Sequence, residues 1–97
     1  MNKYILLVMK WLNDKESVSQ EELEENKYVT AHAARMSAIA ACTARCPWVS
    51  ATYASAVHCA MDAAADDNYV AAAYWVKQYF LLHPGEDRND YRRELNK

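Results

Sequence analysis

Residues 28–46 read YVTAHAARMSAIAACTARC, and this stretch decides the fold. Alanine is the best helix former and a poor strand residue. Here it recurs with neither glycine nor proline to interrupt it before Pro47. All seventeen alanines of the chain lie between Ala31 and Ala73. A sheet protein needs tight turns, many of them at positive φ, and glycine supplies most of these. This chain has one glycine, Gly85, and two prolines, Pro47 and Pro84. The expected class is all-α: a compact bundle of four to five helices around an alanine-rich, closely packed central hairpin. Ninety-seven residues leave room for one hydrophobic core, so residues 1–97 are read as a single domain.

Just upstream, Val18-Ser19-Gln20-Glu21-Glu22-Leu23 carries the signals of a helix start. The Ser19 hydroxyl can accept the backbone N–H of Glu22, the Glu22 side chain can reach back to Ser19, and Val18 and Leu23 form a hydrophobic staple. A helix is expected from 20 to 46, ended by Pro47, which lacks an N–H and disfavours helical geometry before it. Pro47 then opens the next helix, with Val49, Tyr53, Val57, Ala60 and Ala64 along one side. No glycine or proline follows until Pro84. Asp66 and Asp67 could cap a new helix, but the reading preferred is that the helix from 47 to 65 runs on to 82, with room for a bend, and with Tyr69, Val76 and Phe80 beside Ala72 and Ala73 as its later apolar stripe. A first helix over 2–12 carries Ile5, Val8, Met9 and Leu12 at helical spacing, with Leu7 and Trp11 alongside. His83-Pro84-Gly85 stops the long helix, and Asp87 caps a short one over 88–95 whose inner side holds Tyr91 and Leu95.

The formal charge of −2 argues against a nucleic-acid partner, which would require clustered Lys and Arg. The apolar run over 4–9 is followed at once by Lys10, and a membrane span needs roughly 20 apolar residues. Neither a leader nor a membrane segment is expected, and the cytoplasm is the expected location. Between residues 28 and 61 the only formal charges are Arg35 and Arg45. A hairpin so poor in charge makes an unsuitable solvent-facing surface, and an alanine core is thin, since one methyl is worth about 0.8 kcal/mol where a leucine gives roughly 2–3. Both difficulties disappear if those faces meet a second copy, so a homo-oligomer is expected. The isolated arginines are also the best candidates for a ligand. Arg45 would supply charge, Trp48 and Tyr53 a flat aromatic surface, and Arg35 or His32 would complete the pocket from another helix or subunit.

Other chemistry is poorly supported. Cys42, Cys46 and Cys59 cannot all pair within one chain, and they supply too few closely spaced ligands for tetrahedral zinc. No glycine-rich phosphate loop or loop-mounted nucleophile is present, and Asp62, Asp66 and Asp67 read as solvated helix-surface acids. No catalytic residue, metal or cofactor is expected.

Several stretches together carry a resemblance: Lys10-Trp11-Leu12, Ser17-Val18-Ser19-Gln20-Glu21-Glu22-Leu23, the alanine-rich middle, Ala73-Tyr74-Trp75-Val76, Tyr79-Phe80, Gly85-Glu86-Asp87 and Asp90-Tyr91. In this order the chain resembles small alanine-rich helical accessory proteins encoded by large tailed bacteriophages. The stretch from Cys42 to Trp48 departs from their pattern, so no role is carried over there. The resemblance implies a non-enzymatic counter-defence protein in the host cytoplasm that sequesters a nucleotide-like signalling molecule. Direct docking on a host defence protein is the alternative, and a structural assembly component is the second.

Overall fold

The computed structural model describes the backbone of residues 1–44 and 48–97, and the side chains of residues 1–36 and 54–97. Within them the chain forms five α-helices: α1 (Lys3–Asn13), α2 (Gln20–Ala44), α3 (Trp48–Ala65), α4 (Tyr69–Leu82) and α5 (Arg88–Leu95). A single 3-10 turn, Lys15–Ser17, joins α1 to α2. The all-α bundle follows the composition, and no described helix is long and apolar enough to cross a membrane.

Helices α2 and α5 start at the side chains that the sequence singled out, Ser19 and Asp87, and α1 at Asn2, which it did not. Ser19 Oγ accepts the N–H of Glu22 at 3.1 Å, and the staple residues Val18 and Leu23 are both buried. Asn2 receives the N–H groups of Tyr4 and Ile5, and Asp87 receives that of Asn89. The expected end of α2 at Cys46 and the role of Pro47 lie outside the described residues.

The expectation of one helix from 47 to 82 is corrected. The chain breaks after Ala65: Asp67 takes φ 57°, Asn68 N–H donates to the Ala63 carbonyl at 2.8 Å, and Asp67 N–H to that of Ala64 at 3.1 Å. This is a left-handed helix termination of the kind glycine usually makes, and aspartate tolerates the same backbone region. Asn68 then caps α4 by accepting the N–H of Ala71. The later stripe differs as well. Ala72, Val76 and Tyr79 are the buried residues of α4, while Tyr69 is half exposed and Phe80 only partly buried.

Helices α2 and α3 run antiparallel, as three cross-links show. Gln20 Nε2 donates to the Ala65 carbonyl at 2.6 Å, Lys27 pairs with Asp62 at 3.0 Å, and Thr30 meets His58 at 3.4 Å. Helix α4 packs on the other side of α3, and α1 lies over α3 and α4. The core is therefore Ile5, Val8, Met9 and Trp11 of α1 set against Ala56, Val57, Ala60, Met61 and Ala64 of α3, with Ala72, Val76 and Tyr79 behind them. Small side chains let the helices approach closely, so a few larger residues carry much of the burial.

Candidate functional site

Helix α2 presents two different faces. Leu23 and Thr30 point inward and are buried, with Ala33 following toward the cleft. At 100° per residue, Glu21, Glu25, Tyr28, His32 and Arg35 fall on the opposite side. All five are exposed, and Val29 and Met36 flank them at 49% and 50% exposure. The structure thus brings two expected site residues, His32 and Arg35, onto one outer face, one turn apart. It does not aim them at the interior of the hairpin. Arg45 lies outside the described residues, and so do the side chains of Trp48 and Tyr53.

The inward face borders a cleft of about 290 Å³ where α1, α2, α3 and the end of α4 converge. Thr30 and Ala33 line it from α2, Val57 from α3, Asn2 and Tyr4 from the start of α1, and Tyr79 and His83 from the end of α4. The Thr30 hydroxyl lies within 2.9 and 3.0 Å of the Asn26 and Lys27 carbonyls and 3.4 Å from His58 Nδ1, so all its neighbours are taken up within the bundle. A hydroxyl held this way serves as a packing group and a poor nucleophile.

Behind the cleft, Glu86 Oε2 accepts from Tyr79 Oη at 2.6 Å and from Tyr91 Oη at 2.5 Å. Tyr91 Oη in turn accepts the backbone N–H of Asn2 at 2.6 Å, tying α5 to the start of α1. Burial, then the hydrogen bond to Glu86, pushes the Tyr91 phenol up to about 12, and the same causes push Tyr79 well above its ordinary value. Burial alone would raise the Glu86 carboxyl. The two phenols and the amino group of Met1, 3.5 Å away, outweigh that and hold it below its usual range. The network is locked near neutral pH, with an ionised carboxylate between two protonated phenols. Burial also raises the Cys59 thiol, which disfavours the reactive thiolate. Among the described residues, no three His, Cys, Asp or Glu side chains converge as a metal site would require.

No family model, curated protein or solved structure matches the chain. Function is therefore read from these surfaces.

Two features of these surfaces were not read from the sequence. One is the Tyr79–Glu86–Tyr91 network, which depends on the chain reversing at 83–85. The other is the continuous outer line of α2. Glu21, Glu25, Tyr28, His32 and Arg35 alternate spacings of four and three, which sets them along one face of any helix. The weight given to Arg35 as a ligand group hid that register.

Proposed function

We propose that this chain is a non-enzymatic binding protein that works as a two-fold dimer joined through the outer face of α2. The carrying observation is the exposed line Glu21, Glu25, Tyr28, His32 and Arg35, with Tyr28 at 76% exposure and Val29 and Met36 beside it. Three large apolar side chains on one face, set among Glu21, Glu25 and Arg35, suit helix-to-helix association better than water.

Charge selects the orientation. Parallel packing would set Glu25 against the partner's Glu25 and Arg35 against the partner's Arg35, and like charges at an interface are costly. Antiparallel packing centred between Tyr28 and His32 places Glu25 against the partner's Arg35 at both ends. In the middle Tyr28 meets the partner's His32, twice over. This is the layer pairing of an antiparallel coiled coil, and a two-fold axis repeats each contact. Arg35 then serves the dimer and is neutralised by it.

The Tyr79 phenol that lines the cleft is held protonated by burial and by Glu86, which suits a hydrogen-bonding group of a binding site. The resemblance to small alanine-rich phage proteins supports counter-defence as the setting, with the dimer sequestering an anionic, nucleotide-like signal.

Sedimentation equilibrium at micromolar concentration should give twice the 11.1 kDa mass of the chain. Tyr28→Glu should return it to the monomer mass with helical circular dichroism unchanged, since Tyr28 is exposed within the single chain. A wild-type monomer would leave this face to a host protein and remove the dimer from the account.

A further inference from the structure

We propose that the pocket between α1, α4 and α5 binds a phosphate group through Arg88 and Arg92. The two arginines stand four apart on α5, on one helical face, and both line a pocket of about 170 Å³. Asn13 of α1 and Tyr69 of α4 offer an amide and a phenol from other directions, over an apolar floor that includes Met9 and Leu12.

Within the single chain this arrangement is electrostatically unfavourable. Like charges one turn apart repel. The Arg88 guanidinium lies over the Phe80 ring, 5.9 Å from its centroid, and its Nε is shut off from solvent with no hydrogen-bond partner. Buried donors without acceptors are rare, and each calls for a cause. Burial and the neighbouring Arg92 both act against the charge on Arg88. The acids of the same helix are already engaged. Asp87 caps α5, Asp90 pairs with Arg93, and Glu94 pairs with Lys97. Among the described residues, neither Arg88 nor Arg92 has a carboxylate within ion-pairing distance. Arg92 makes only a 3.3 Å hydrogen bond from Nη1 to Asn89 Oδ1.

An anion in the pocket would offset the repulsion between the two guanidiniums. Its geometry selects phosphate. A planar carboxylate is matched by one guanidinium fork, whereas two separate guanidiniums with an amide and a phenol arriving from three helices suit a tetrahedral dianion. Tyr69, at 49% exposure, leaves room at the mouth for an organic remainder. The site rests on α5 and its neighbours alone, so it stands whether or not α2 dimerises, and it needs neither Arg35 nor Arg45.

The test is an NMR titration with inorganic phosphate, phenyl phosphate and acetate, at a pH where phosphate is dianionic. It follows the Nε–Hε signals of Arg88 and Arg92 and the side-chain amide of Asn13. Saturable shifts with inorganic phosphate and none with acetate are expected. Arg92→Gln, an exposed change that leaves the fold intact, should weaken phosphate at least about tenfold, as loss of a charged contact to a bound anion does. Arg88→Lys, which keeps the charge but not the fork, should weaken it too. Tighter binding of phenyl phosphate with a shift at Tyr69 would identify an organic phosphate as the ligand, and equal binding would identify the free ion. Linear, unsaturated shifts with phosphate, equal binding of acetate, or full affinity in Arg92→Gln would overturn the assignment.

Discussion

Glu86→Ala is expected to weaken the fold by about 3 kcal/mol at neutral pH, measured as the shift of the midpoint in denaturant titration. The Glu86 carboxylate accepts from Tyr79 and Tyr91, both nearly inaccessible to water. A hydrogen bond to a charged group contributes roughly 1.5–3 kcal/mol, and removing the carboxylate takes two such bonds away from buried phenols at once. The connection between α5 and the start of α1 runs through the same Tyr91 hydroxyl, so the loss spreads to both ends of the chain. The pH dependence has a definite sign. The Glu86 carboxyl is held below its ordinary value, so its contribution is complete above the unfolded carboxyl range and disappears as pH falls through the folded value. The phenols are shifted upward, so their contribution is complete below the ordinary phenol range. It is lost as pH rises, for Tyr91 by about 12. The gap in stability between wild type and Glu86→Ala should therefore be widest around neutrality and close on the acid side. A constant gap from neutral to acid pH would contradict the network.

Met61→Ala is the second large effect, expected at about 2–5 kcal/mol in the same titration with the slope unchanged. Met61 is fully buried among Ala60, Ala64 and other small side chains of the core. An alanine has no rotamers with which to fill a vacated space, so the cavity stays open and the cost should fall toward the upper end of that range. A loss under about 1 kcal/mol would show that the helices close over the gap.

The legible parts of the fold were those with local chemical causes. Ser19 and Asp87 announced their helices because a short oxygen-bearing side chain ahead of an apolar-periodic run satisfies free backbone N–H groups. His83-Pro84-Gly85 announced a stop for reasons equally local. The break at 66–68 was only half legible: Asp66 and Asp67 offered a cap, but Asp67 does there what glycine ordinarily does, Asn68 is the cap, and nothing in Asp-Asp-Asn requires either. The arginines of α5 were hidden for a different reason. In sequence, Arg88 and Arg92 belong to a dense mixture of both signs that reads as a solvated face. Only the packing of α1 and α4 against α5 shows that the nearby acids face elsewhere. Arg35 drew attention as an isolated cation, and that isolation was real along the chain. In the proposed dimer, Glu25 on the outer face of α2 stands opposite Arg35 of the second copy.

The most direct test of that dimer is a mixing experiment with two charge-reversed chains, Glu25→Arg and Arg35→Glu, followed by sedimentation equilibrium. Alone, the first sets two arginines against each other at both ends of the interface, and the second sets two glutamates. Each should sediment at the 11.1 kDa monomer mass. Mixed in equal amounts, both ends of a heterodimer regain opposite charges, and the mass should double. If each variant dimerises alone as well as the wild type, or if the mixture stays monomeric, the antiparallel register of α2 is wrong.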